Sequence, residues 1–144
     1  MPRRDFDPIG NFNFRVEISG VDVAGFSEVS GLEVETEVIE YRLGNDAAGH
    51  VRKIPGLHKV SDITLKRGVT GSSALWDWRR TVLDGSYDRR DVSIILLDDL
   101  REEVMRWNLF EAWPSKYTGP TLKGTGNEVA IETLVIVCER IELG

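Results

Sequence analysis

Patterning along this chain predicts a mainly β fold, a small barrel or sandwich with one packed α-helix at about 73–84 and a long loop at about 44–57. Three observations carry the prediction. Apolar and polar residues alternate in several short runs, the two-residue period of a strand with one buried face. Only 73–84 shows a helical stripe. Fourteen glycines against five prolines supply the turns that many short strands need. One helix among many strands cannot build a doubly wound sheet, which leaves the barrel or sandwich.

The first strand is Phe12 to Ile18, apolar at 12, 14, 16 and 18 and polar between. Gly20-Val21-Asp22 reads as a turn and Val23 to Phe26 as a short hairpin partner. From Leu32 to Arg42, Leu32, Val34, Thr36 and Val38 share one face, while Glu33, Glu35, Glu37, Ile39 and Tyr41 share the other. Gly44, Asn45, Asp46, Gly49, Pro55 and Gly56 then break the period, so a loop is expected with Arg52 and Lys53 near His50. Loops this long inside one domain are often functional. Val60 to Arg67 reads as a strand. In the helix, Leu75, Trp78 and Val82 form the apolar stripe, Ser72 or Ser73 can cap the start, and Gly85 stops it. Segments 91–97 and 103–110 form a second hairpin about a turn at 98–102, and 113–126 reads as irregular. Residues 127–143 read as one strand of about sixteen residues, well above the usual five or six. Its centre is apolar on both sides, so it requires a second cover, either the helix or a neighbouring subunit.

Composition narrows the function. A chain of 144 residues, 41% hydrophobic and 29% charged, fits one soluble globular domain spanning 1–144, with 1–10 as an N-terminal arm. No apolar run reaches the length of a membrane span, and no stable membrane association is expected. Met1 to Asp5 lead into a polar segment, so no signal peptide is expected there. Eighteen Lys and Arg against 24 Asp and Glu give −6, which argues against a phosphate-gripping surface. The single Cys138 excludes an internal disulfide framework and a multi-cysteine zinc site.

Catalytic patterns fail one by one. Gly25-Phe26-Ser27-Glu28-Val29 lacks the closing glycine of a nucleophile elbow. Gly119 to Gly124 has phosphate-loop spacing, but Thr125 stands where lysine is needed. Gly124-Thr125-Gly126 is a dinucleotide fragment lacking the flanking strand and helix. His50 and His58 match no ligand spacing, and Cys138 sits among apolar groups, as an inert thiol does. Asp98-Asp99 and Glu102-Glu103 flank a turn, where acids are common. The expectation is no enzyme, no cofactor and no metal. The row Glu33, Glu35, Glu37 is either a solvated strand face or an edge that meets Arg52 and Lys53 of another copy, since opposite charges on one chain favour head-to-tail assembly. Trp76, Trp78, Trp107 and Trp113 read as core or interface anchors rather than a sugar platform. Residues alone therefore give a self-associating β-rich domain of binding or structural type.

A longer series of motifs sharpens this. Asn11-Phe12-Asn13-Phe14-Arg15-Val16-Glu17-Ile18 leads to Ala24-Gly25-Phe26-Ser27-Glu28-Val29-Ser30-Gly31-Leu32, then Glu40-Tyr41-Arg42, Lys53-Ile54-Pro55-Gly56 and Ile63-Thr64-Leu65-Lys66-Arg67-Gly68. Leu75-Trp76-Asp77-Trp78, Arg106-Trp107-Asn108, Glu111-Ala112-Trp113-Pro114-Ser115-Lys116-Tyr117 and Gly126-Asn127-Glu128-Val129-Ala130-Ile131-Glu132-Thr133-Leu134 follow. In order and spacing, from about residue 10 onward, this series resembles the inner tube proteins of contractile phage tails and phage-tail-like contractile injection systems. The type VI secretion ring protein shares their architecture.

The resemblance implies hexameric rings stacked into a hollow tube that a contracting sheath drives through a target envelope. It implies as partners further copies of the chain, the sheath, baseplate or hub proteins, tube-terminating proteins, and an effector or DNA in the lumen. The place would be the cytoplasm during assembly and the outside or the target envelope after firing, or a virion in a phage. Glu33, Glu35, Glu37, Arg42, Arg52 and Lys53 become candidates for a subunit interface or the lumen wall. The loop at Arg52-Lys53 would reach a neighbouring copy, and the N-terminal arm would join rings. A tube initiator on the baseplate and a monomeric carbohydrate- or peptide-binding β-domain are the competing readings.

Overall fold

Phe14, Val16 and Ile18 turn inward from a strand whose Arg15 and Glu17 turn outward, as their alternation dictates. The computed structural model describes residues 7–23, 25–45, 47 and 49–144. The first six positions of the expected N-terminal arm lie outside the described residues. Among those described, ten strands and one helix follow in order: β1 (Phe14–Ile18), β2 (Val21–Val23), β3 (Phe26–Ser30), β4 (Val34–Tyr41), β5 (Arg52–Val60), β6 (Ile63–Gly68), α1 (Ala74–Leu83), β7 (Arg90–Leu97), β8 (Glu103–Thr118), β9 (Ile131–Val137) and β10 (Arg140–Leu143). All pairings are antiparallel.

Eight strands form one sheet. Its path runs β2-β1-β7-β8-β9-β6-β3, with β10 also on β8. The path ends at β2 and β3, so the sheet is open rather than a closed barrel. The sixteen-residue strand is β8, and it belongs to both halves. Its first part pairs β7 and β10, and its last part pairs β9. Glu111, at φ 56, sits at the change of partner, where the register slips between Arg90 and Val92. A bulge of this kind bends a strand from one layer into the next.

The core joins both halves. Val16, Val92, Ile94 and Leu109 meet Ile63, Leu65, Leu134 and Ile136, and Leu75 and Trp78 of α1 close the cluster. The Trp78 indole N–H donates to the Asp88 carbonyl at 2.7 Å, which satisfies its one polar group. At the helix start the Ser72 hydroxyl accepts from the Ala74 N–H at 3.3 Å. Gly85, at φ 83, ends the helix as a left-handed residue.

Four expectations change. The loop shrinks, because β5 begins at Arg52 and pairs with β4 as a separate two-stranded ribbon. Pro55 and Gly56 are not breakers there: they sit at a bulge, where β5 carries one extra residue opposite Thr36 to Val38. A Cβ on Gly56 would lie 3.1 Å from Ile39 Cγ1, so the close crossing favours glycine. Segment 113–118 is strand rather than irregular, and Pro114 is tolerated beside the register shift before Lys116. The long strand expected at 127–143 is two: β9 ends at Val137 opposite Trp113, and β10 restarts with Arg140 opposite Phe110. The first hairpin turns at Ser19-Gly20 into β2, while Phe26–Ser30 forms a further strand, β3, on β6.

Candidate assembly surface

The ribbon β4–β5 projects from the sheet that holds the core. None of its residues belongs to the core cluster, and among the described residues no other element packs extensively against it. Its root is tied down. The Ser61 N–H donates to the Glu33 carbonyl at 3.2 Å, and the Ser61 hydroxyl donates to Glu33 Oε2 at 3.0 Å.

Register sorts the six candidate charges. Glu35 stands opposite Lys59, Tyr41 opposite Arg52, and Glu40 opposite Lys53. Since alternate residues share a face, Glu35, Glu37 and Arg52 lie on one face and Lys53 on the other. Glu37 is bound by Lys59 at 2.6 Å, and Glu33 belongs to the root. Arg42 follows β4 directly. The ribbon thus brings the glutamate row beside a lysine of its own partner strand and separates Arg52 from Lys53. On the opposite face the Thr36 hydroxyl and His58 Nδ1 meet at 2.8 Å.

Sequence reasoning missed the apolar character of this element. Val34, Val38 and Leu57 are 67%, 62% and 73% exposed, and Ile39, Tyr41 and Ile54 are also exposed. The signal lies in Ile54 and Leu57, on either side of the Pro55-Gly56 pair, whose residue types read as loop chemistry.

Other candidates resolve into structure. Asp98 accepts from the Leu100 and Glu102 N–H groups at 2.9 Å, so it builds its turn. Burial, followed by the charge of Asp62, pushes the Cys138 thiol up, away from the reactive thiolate. Among the described residues no three of His, Cys, Asp or Glu converge on a point that could hold a metal. Trp78 is core, Trp76 packs edge-on against Tyr117 at 5.3 Å, and Trp107 lines a cleft of about 600 Å³ with Phe14, Leu32, Ile94 and Leu96. No helix among the described residues is long and apolar enough to cross a membrane.

The family model of the T4-like virus tail tube protein gp19 matches residues 10–142, nearly the whole chain. This chain belongs to that tail tube family. Solved structures agree. The tail tube chain is 30% identical to a chain of the PVC sheath–tube complex of an extracellular contractile injection system in its extended state. That match covers 97% of this chain and 93% of the other, with a TM-score of 0.87. A chain in the tube-terminating cap of the anti-feeding prophage is 28% identical, with coverage of 100% and 95% and a TM-score of 0.88. Hcp1 of Flavobacterium johnsoniae shares the fold, with 21% identity, coverage of 92% and 95%, and a TM-score of 0.58. Comparison with curated protein sequences returns no significant match. Among the described residues of this chain, the ribbon β4–β5 carries exposed apolar side chains and contributes none to the core cluster.

Proposed function

We propose that this tail tube protein is the inner-tube subunit of a contractile injection system. Six copies form a ring, and rings stack into a hollow tube inside a sheath. The end-to-end match to a chain of a sheath–tube complex carries the reading. Partners by the same reading are the sheath, a baseplate or hub, a tube terminator, and a cargo in the bore. The tube assembles in the cytoplasm and leaves the cell with its particle. It performs no chemistry: the sheath supplies the work, and the tube supplies rigidity and a passage.

The candidate charges divide between interface and bore on physical grounds. Exposed apolar side chains in a bore would hold passing cargo. Glu35 and Glu37 share their face with Ile39, Tyr41 and Ile54, so that face suits a subunit contact. Arg42, Arg52 and Lys53, at the far end of the ribbon, reach a neighbouring copy in the same reading. Glu33, held by Ser61, sets the ribbon's root.

Negative-stain electron microscopy of the purified protein across a concentration series tests the proposal. Hollow rings or tubes with six-fold end views are expected. Monomers at every concentration, with and without a baseplate template, would overturn it. The variant Glu35→Lys then separates the two placements. Blocked assembly with an unchanged melting temperature assigns the row to an interface, and intact tubes assign it to the bore.

A further inference from the structure

His58 is the only histidine in either strand of the ribbon, and it stands on an apolar face. Register pairs it with Thr36, and alternation puts Val34, Val38 and Val60 on the same side, with Pro55 opposite Val38. Val34 and Val38 are exposed there. The ribbon's charges lie elsewhere. Glu40 and Lys53 face each other toward the far end of that face, and Glu33 is held by Ser61 at the root. Glu35, Glu37, Lys59 and Arg52 belong to the opposite face. Among the described residues no other element packs extensively against the ribbon.

The Thr36 hydroxyl and His58 Nδ1 meet at 2.8 Å. A neutral imidazole has one nitrogen that accepts, so Thr36 can donate to Nδ1, and the pair carries no charge. A protonated imidazole carries N–H on both nitrogens. Nδ1 must then donate, the Thr36 hydroxyl must turn to accept, and a full charge stands beside Val34 and Val38. In the free subunit water solvates that charge. Under a covering copy the charge is taken out of water, which costs far more than burying a hydrogen-bonded neutral group.

We infer that His58 makes assembly pH-sensitive: the neutral imidazole lies under a neighbouring copy, and its protonation releases that copy. The inference rests on the tube reading, in which copies of the chain cover the ribbon, and adds a regulation to it. Free subunits take up a proton that assembled ones exclude. Assembly is therefore strongest above the ordinary histidine range and weakens as pH falls through it.

The critical concentration for assembly of the full-length chain is read by sedimentation, with electron microscopy of the pellets. The pH runs from about 7.5 to about 5.5, which spans the ordinary histidine range and stays above that of carboxylates. One proton excluded per subunit raises the wild-type critical concentration roughly tenfold across this window. His58→Gln keeps a hydrogen-bonding amide and does not titrate, so its critical concentration should stay level. His50→Gln should follow the wild type. A wild type indifferent to pH or strengthened by acid overturns the inference and leaves the tube reading intact. So does an acid response that survives in His58→Gln or disappears in His50→Gln. A wild type that forms no tubes at either end of the window removes the tube reading and this inference together. His58 is exposed in the subunit, so the melting temperature of His58→Gln at low concentration should match the wild type. If it does not, His58→Asn takes its place under the same criteria.

Discussion

Arg67 and Glu132 are charges kept inside, at 5% and 4% exposure. They face each other across β6 and β9, and Arg67 Nε donates to Glu132 Oε1 at 2.6 Å. The Tyr117 hydroxyl donates to the other carboxylate oxygen at 2.6 Å, and Trp76 leans edge-on against Tyr117. The chain of contacts ties β6, β9, β8 and α1 together. Replacing Arg67 with Met leaves a buried carboxylate without its cation, and breaking such a pair costs about 3–5 kcal/mol. Lys59→Met removes the exposed pair to Glu37 and should cost no more than ~1 kcal/mol. Urea unfolding of the two variants reads the contrast, and equal losses would contradict it. The hydrogen bond to Glu132, then burial, raises the Tyr117 hydroxyl above its ordinary 10.0. The folded chain then holds that proton more tightly than the unfolded chain does. The contribution is complete below pH 10 and is lost as pH climbs through the higher folded value. Tyr117→Phe should erase this alkaline loss, seen as a flatter stability profile above pH 10.

Gly31 stands between β3 and the first strand of the ribbon. It stands at φ 95, and a Cβ there would collide with the Asp62 carbonyl. Gly31→Ala should cost more than ~1 kcal/mol, because both the conformation and the space forbid a side chain. Gly44→Ala, with nothing within 4 Å of its added Cβ, should stay within about 0.5 kcal/mol of the wild type. Thermal unfolding of the pair tests this, and a neutral Gly31→Ala would show that the root can shift. The elements that the sequence reveals most plainly are those whose period matches their burial. Phe14, Val16 and Ile18 mark β1, and Leu75 and Trp78 mark α1, because a single buried face imposes a single period. Pattern reading fails where a strand changes partner or carries a bulge. Pro55-Gly56 and Pro114 look like breakers, yet both fall at register shifts that absorb them. Val129 to Ile141 looks like one strand because the break at Cys138-Glu139, between two stretches that both pair with β8, leaves no mark in hydropathy. The candidate assembly surface is half legible: the glutamate row and Arg52-Lys53 stand out as charges, while Val38, Ile39, Ile54 and Leu57 read as ordinary strand or loop residues.

At the scale of the whole molecule, the core and the ribbon proposed for assembly occupy different parts of the chain. The core cluster contains no residue from 34–60, so the body keeps its buried apolar surface without the ribbon. The ends that a deletion would join are already near each other, since the Ser61 N–H reaches the Glu33 carbonyl at 3.2 Å. Beyond them Ser30 pairs Thr64 and Val29 pairs Leu65, so β3 and β6 form a hairpin once a turn replaces the ribbon. An Asn-Gly turn in place of 34–60 supplies the two left-handed residues that such a connection needs. Closing a shorter loop lowers the entropic cost of ordering it by roughly 0.6 kcal/mol per halving of length, which works in the variant's favour. The shortened protein should therefore melt within a few degrees of the dilute wild-type subunit, and it should form neither rings nor tubes. The wild type should melt higher as its concentration rises, because association stabilises the folded state by mass action, and the shortened protein should lose that dependence. Calorimetry at several concentrations, with electron microscopy of the same samples, reads both effects. An unfolded deletion variant would make the ribbon part of the fold, and a deletion variant that still builds tubes would place the assembly contacts elsewhere on the body.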